Sequence, residues 1–450
     1  MNKRLLSIAV SALVILAAIT SCVSSSSNPE FATNTEGNSG IPGPAAETES
    51  HFGMGGGLPK FADELRDSGS EITRVWISWD KIEPVNDQYN WAEMDEIVTS
   101  ANERNIEVLG FFYSMPTWAR NKASPGNKTI KGKPADPGEP VNWDDYTEFA
   151  RNVAERYDGN HGHGEMKYIE IWNEVQGFAE MNSKEYEPWL IRGYQAAKQG
   201  NPDVQILLGA VHSPMDFNGG YSGQTTEEFI AAMLRDYSQY YDIFNFHIYQ
   251  RKDGAVGEAV DYMKGLMKAY NVNKPMWITE TATFWPNVVC DNLAWRHEAA
   301  RGVIKRYAQA LGNGVEKVFW YSFTALPTVE EDPSGVEGGK PADFLMGGLG
   351  WVFPKGQGLP IDEFHPRPAF NTYKLMTSKL SGFSSVEKIT DTQYKFIVNG
   401  KNIYVLWSDK GSDSLPSGIS GLVKVTDYLG NEEIRQASQI VLSGSPIFIE

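Results

Sequence analysis

The stretch "YIEIWNEVQGF", Tyr168 to Phe178, decides how this chain is read. A strand-forming, mostly apolar run ends in Asn173-Glu174, and a glycine-containing loop follows. Burying a carboxylate is costly, so an acid at the inner end of a strand points to chemistry at that end.

Seven further runs of the same kind flank it. Before it come "HFGMGG" from His51, "ITRVWIS" from Ile72 and "IEVLGFFY" from Ile106; after it come "VQILLGAV" from Val204, "DIFNFHIY" from Asp242, "PMWITET" from Pro275 and "VEKVFWYSF" from Val315. Between them lie amphipathic helical segments. Asn90 with Glu93 reads as a capping box opening one of them, and Asn142 caps "WDDYTEFARNVAERY". A last helix begins near Pro368. Eight strand-helix units predict the α/β class, a (β/α)8 TIM barrel over residues 51–382, whose site lies at the carboxyl ends of its strands. "GMGGGLP" lacks the register of a dinucleotide-binding turn, which argues against a doubly wound sheet. Two long connections, Ser114 to Val141 and Ala325 to Arg367, leave that same face and are expected to wall a cleft.

From about Phe383 the helical period stops. "YKFIVNGKNIYVLW" alternates about Asn399-Gly400, a hairpin signal, so residues 383–450 read as a small C-terminal β-sandwich with a structural role. At the other end, "MNKRLLSIAVSALVILAAITSC" resembles a bacterial lipoprotein signal, with Ile19 three positions before Cys22 and Ser21 next to it. The resemblance implies a signal over residues 1–21, a lipid on Cys22, and a bacterial cell-envelope location at the outer membrane or cell surface. An ordinary secretory signal ending near Ser21 is the alternative. Residues 22–50, rich in Ser, Gly, Pro and Asn, read as a flexible tether. Cys290 is then left without a disulfide partner and reads as a small packed hydrophobe.

A net charge of −17 with no basic concentration disfavours nucleic acid and anionic membrane surfaces as partners and suits a neutral ligand. The 13 Trp, many beside Gly, Pro or Asn, hint at stacking faces in a cleft. The paired histidines of "HGHG", His161 and His163, read as solvent-facing loop residues rather than metal ligands, and no Gly-x-Ser-x-Gly elbow supports a serine nucleophile.

Glu174 ends the fourth strand and Glu280, in "MWITETATF", ends the seventh, so both face one bowl from opposite sides. Two carboxyl groups so placed can cleave a glycosidic bond if one is protonated and the other is not. "IEIWNE" and "ITE" on those strands resemble the retaining glycoside hydrolases of clan A, family 39 above all and families 5 and 42 more distantly. The resemblance covers His51 to Gly382. It implies Glu174 as acid/base and Glu280 as nucleophile, Asn173 on the sugar 2-hydroxyl, Arg74 beside the nucleophile, and His247 and Tyr249 of "FHIY" as pocket residues. It also implies Trp320 as a sugar platform, with Trp118, Trp79 and Trp285 as further subsite candidates. Glu83 reads as a loop-fixing carboxylate. "GFFYSMP" lacks the strand-three histidine usual in family 5, and Val175 replaces the proline that often follows Asn-Glu.

The expected partner is a β-linked, neutral glycan, cleaved without cofactor or metal by a monomer that meets a membrane only through its N-terminal lipid. An exo-acting β-glycosidase such as a β-xylosidase, and a carbohydrate-binding surface lipoprotein that has lost catalysis, stand as alternatives.

Overall fold

The computed structural model describes residues 50–121, 129–130, 133–134, 138–177, 180–216, 220–221, 223–250, 254–283, 293–324, 350–351, 364–411 and 413–450. The signal, the tether, Cys22, Trp285 and Cys290 lie outside them, as do large parts of the two long connections. Among the described residues no helix is long and apolar enough to cross a membrane.

Eight parallel strands form the barrel: β1 (Phe52–Gly55), β2 (Ile72–Ser78), β3 (Glu107–Tyr113), β4 (Tyr168–Ile171), β5 (Gln205–Leu208), β6 (Phe244–Ile248), β7 (Met276–Thr281) and β8 (Lys317–Trp320). They run in the order β5-β4-β3-β2-β1-β8-β7-β6, and a parallel bridge between Leu207 and Ile243 closes β5 onto β6. A short continuation of β5, Val211–His212, also pairs with β6.

Alternation along each strand sorts the side chains. Ile72, Leu109, Leu207, Ile243, Trp277 and Phe319 point inward and form the floor of the barrel. Residues at the alternate strand positions, such as Val75, Ile169, Phe246 and Ile278, point outward into the larger core beneath the helices. On β1 the inward positions are Gly53 and Gly55. A Cβ there would lie 2.6 Å from the Phe319 ring and 2.9 Å from the Tyr321 ring, so these glycines make room for β8's aromatics.

The helices start where their caps are satisfied. Asn142 accepts from Asp144 N at the head of Trp143–Arg156, and capping boxes open Ser183–Gly200 (Asn182, Glu185) and Thr226–Asp236 (Thr225, Glu228). The box expected at Asn90 is not formed. Asn90 Oδ1 accepts from Ala92 N at 3.4 Å, but Asn90 N is held by Ile82 O at 2.6 Å and Glu93 pairs with Lys81 at 3.1 Å, so the reciprocal bond is missing; the helix runs Ala92–Asn102.

After the last barrel helix, Pro368–Leu380, the chain builds a six-stranded antiparallel sheet. Its strands are β9 (Phe383–Thr390), β10 (Gln393–Val398), β11 (Lys401–Leu406), β12 (Leu422–Asp427), β13 (Glu432–Gln436) and β14 (Ile447–Ile449), in the order β9-β10-β11-β14-β12-β13. It carries a small core of Leu406, Val425, Leu442 and Ile449. Asn399 and Gly400, at φ 50° and 74°, make the left-handed two-residue turn between β10 and β11, pairing Val398 with Lys401. The sheet is seated on the barrel through Phe383, stacked on His51 at 4.4 Å, and through Tyr394, which fills the space Gly312 leaves.

Candidate active site

Directly above the floor sits a polar layer. Arg74 of β2 is buried and lies flat on Phe111 of β3, 3.8 Å from the ring centre. Its guanidinium makes a two-pronged ion pair with Glu170 of β4, Nε to Oε2 at 2.7 Å and Nη2 to Oε1 at 3.0 Å. It reaches Glu280 Oε1 at 2.7 Å and Asn173 Oδ1 at 2.6 Å. Burial works against the guanidinium charge, but Glu170 and Glu280 outweigh it and hold Arg74 above its ordinary value. An arginine only donates, so the Asn173 atom facing it is the carbonyl oxygen and the amide NH2 turns elsewhere.

Glu280 reaches the interior through a bulge. Phe246 pairs with Ile278, but His247 pairs with Glu280, so Thr279 and Glu280 together oppose one step of β6 and both turn inward. Glu280 Oε1 takes the Arg74 donor and Oε2 takes the Tyr249 hydroxyl at 2.5 Å. Burial, then the two glutamates, keep that hydroxyl protonated far beyond its ordinary range, so it serves as a donor.

Glu174 follows β4 with Trp172 and itself at positive φ, 77° and 42°, a conformation that swings its side chain over the barrel mouth. Its carboxyl is buried; His247 Nδ1 stands 2.9 Å from Oε1, and His212 Nε2 stands 3.6 Å from Oε2. Burial pushes this carboxyl above its ordinary value of 4.5, against the pull of His212 and Arg74. His247 is fully buried and pushed down to about 3 by that burial, hence neutral.

Glu174, His247 and Glu280 each bring one ligating atom within 4.8 Å of the others. A divalent ion there would face the Arg74 guanidinium across Glu280, so the charge arrangement suits proton traffic better than metal binding. His161 and His163 stand elsewhere, on Asp158 at 3.0 Å and Asp95 at 3.6 Å.

Thus the structure gathers Arg74, Asn173, Glu174, His247, Tyr249 and Glu280 at one mouth. It does not bring Trp320 there. Trp320 is fully buried and packs outward under the helices, because β8 alternates and the inward position is its neighbour Tyr321. Trp79 is likewise buried, its indole N–H donating to Glu83 Oε2 at 2.7 Å, and that carboxylate also accepts from Asp87 N at 2.9 Å. Trp118 is half-buried and lies edge-on to Trp79 with its N–H on Glu83 O at 2.9 Å.

Several site residues escaped the sequence reading. Glu170 stands at an inward position inside an apolar strand, which is the signal that could have found it. Tyr321 follows from strand alternation once β8 is in register. Trp76 is 54% exposed and Tyr113 40% exposed. Both share an inward face with Phe111, and Trp76 and Phe111 border a cavity of about 360 Å³ with Arg74, Ser78, Tyr321 and Ser322.

A closed parallel barrel with two facing carboxyl groups, an arginine on one and a neutral histidine on the other, is an arrangement that cleavage of a glycosidic bond by two acids can use. Residues 142–337 match the family model of the glycosyl hydrolase catalytic core. The fold is similar to that of a family 39 glycoside hydrolase from the gut symbiont Bacteroides cellulosilyticus (18% identity, TM-score 0.63, covering 90% of this chain and 81% of that one). It is similar to a family 39 β-xylosidase from Caulobacter crescentus (14%, 0.60, 91% and 97%) and to a conserved exported protein from Bacteroides fragilis (15%, 0.62, 90% and 97%). A sequence comparison with curated proteins returns no match.

Proposed function

We propose that the chain is a retaining β-glycosidase of the family 39 type, acting on a neutral β-linked glycan by double displacement through a covalent glycosyl-enzyme. The observation that carries this reading is the approach of the two acids: one oxygen of Glu174 and one of Glu280 lie within 4.8 Å. Retaining enzymes hold their carboxyl groups about 5–5.5 Å apart, and inverting enzymes leave about 6.5–9.5 Å for a water.

In the first step a Glu280 oxygen bonds to the anomeric carbon while Glu174 gives its proton to the departing glycosidic oxygen. In the second, Glu174 takes a proton from water, the water oxygen bonds to the anomeric carbon, and Glu280 leaves. Arg74 and Tyr249 hold the attacking carboxylate in place, and the Asn173 NH2 is available to a sugar hydroxyl. The likeness to the Caulobacter β-xylosidase and the exposed faces of Trp76 and Tyr113 support a neutral pyranoside as substrate.

Glu280→Ala is expected to abolish turnover of aryl β-glycosides, and added azide to restore it with a glycosyl azide of inverted configuration, read by NMR. Wild-type product of inverted configuration in the first turnover would overturn the retaining assignment. Saccharide binding with no turnover of any aryl β-xyloside, β-glucoside or β-mannoside would overturn the enzyme reading altogether.

A further inference from the structure

Behind His247 runs a chain of buried polar groups whose hydrogen-bond directions can be worked out from its far end. Asn245 of β6 stands 3.5 Å from the Leu208 carbonyl, which only accepts, so the facing atom is the amide nitrogen and the Asn245 oxygen points the other way. That oxygen accepts the Thr279 hydroxyl at 2.7 Å. The Thr279 proton being spent, its oxygen can only accept from His247 Nε2, 3.1 Å away. His247 Nε2 therefore carries the imidazole proton. Nδ1 is left with a lone pair; it stands 2.9 Å from Glu174 Oε1, within hydrogen-bond reach, and 3.6 Å from Glu280 Oε2, beyond it.

Asn245, Thr279 and His247 are all fully buried, so no solvent competes for these bonds. A carboxylate anion facing a nitrogen lone pair at that distance is repelled, whereas a carboxylic acid donates to it. We infer that Thr279 and Asn245 are positioning residues that lock His247 in its Nε2–H tautomer, so that its Nδ1 accepts the proton that keeps Glu174 a carboxylic acid. The inference rests on the acid/base role proposed for Glu174. The bulge in β7 that turns Glu280 inward is the same feature that delivers Thr279 to the imidazole.

The other charged and titratable groups around Glu174 are accounted for. Arg74 on β2 and His212 beyond β5 pull its proton away; Glu280 on β7 and the hydroxyls of Tyr113, Tyr249 and Tyr321 complete its surroundings. Burial is the largest influence toward the acid, and the His247 acceptor adds to it.

The direct test is ¹⁵N NMR of the imidazoles in the full-length wild-type protein, which does not depend on turnover. A bare Nδ1 and a protonated Nε2 at neutral pH are expected for His247; a proton on Nδ1, alone or on both nitrogens, overturns the inference. The functional test is Thr279→Val. Its methyl groups offer Nε2 no acceptor, the imidazole proton moves to Nδ1 and donates to ionised Glu174. The alkaline limb of kcat/KM should then fall by about one to two pH units, the loss expected from one charge-assisted hydrogen bond now favouring the anion. Poor leaving groups, which need the acid, should slow by about tenfold or more at neutral pH, while dinitrophenyl glycosides should not. Thr279→Ser should restore the wild-type profile. A uniform loss on both substrate types with an unmoved limb would mean that Thr279 only packs.

Discussion

Glu174 is where catalysis and stability pull in opposite directions. Burial holds its folded value above 4.5. Below about 4.5 folded and unfolded chains both keep the proton, and the residue costs nothing. As pH rises past that point the unfolded chain releases its proton and the folded one does not, so stability falls by about 1.4 kcal/mol per pH unit until the folded carboxyl also ionises. Glutamine at this position keeps an N–H for His247 Nδ1 and carries no charge. Glu174→Gln is therefore expected to melt with the wild type near pH 4 and above it near pH 7, the gap opening from about 4.5 upward. Thermal melts across that range check it, and equal or lower melting of the variant at neutral pH would show that the buried carboxyl is not destabilising. His247, pushed down to about 3, contributes the opposite slope in both proteins: the unfolded chain gains its proton below 6.5 and the folded chain does not. The difference between the two melts isolates Glu174.

A strand's alternation decides which side chains the barrel shows to substrate, and a slip of one residue changes the answer. Trp320 is in the outer core and Tyr321 in the mouth; Trp76, mid-strand on β2, is exposed inside the bowl. Trp320→Ala should cost about 3–5 kcal/mol of folding stability, as a buried tryptophan does, with KM unchanged at temperatures where it folds. Trp76→Ala should leave the melting temperature within a degree or two and raise KM. Denaturant melts paired with kinetics separate the two, and a raised KM in a stable Trp320→Ala would restore that residue as a platform. The eight strands were legible because parallel strands buried on both faces read as short β-rich runs, and the two acids because carboxylates at strand ends are rare without a purpose. The β7 bulge was not legible: by strict alternation Glu280 would share the outward face of Ile278, and nothing local marks the inserted residue. Glu170 carried a local signal, a charge at an inward position of an apolar strand, but its partner Arg74 lies across β3 and far away in sequence. The reciprocal half of the Asn90 box was lost to a backbone bond to Ile82 that no local motif announces.

The C-terminal sheet lies at the opposite end of the chain's logic from the site, yet it covers ground the barrel cannot leave bare. Phe383 stacks on His51 and meets Phe52 edge-on, immediately before and within β1. Tyr394 is fully buried against Gly312, where a Cβ would lie 2.2 Å from its ring, and Lys388 bonds to the neighbouring Asn313. Tyr428 accepts the Thr372 hydroxyl at its carbonyl, and its own hydroxyl shares a hydrogen bond with His297 Nδ1, tying two barrel helices together. Because β1 also seats Phe319 and Tyr321, loosening its start would reach the floor and the mouth of the barrel. A chain ending at Gly382 uncovers this apolar seam and removes the helix ties, so it should be recovered as aggregate, or as a soluble form that binds a hydrophobic dye and has lost turnover. The full-length protein should unfold in one transition, with near-UV dichroism and residual activity falling together, as expected when two units share a core boundary. If the truncated barrel instead melts within a few degrees of the full chain and keeps its kcat, the sheet is an appendage and the seam contributes little.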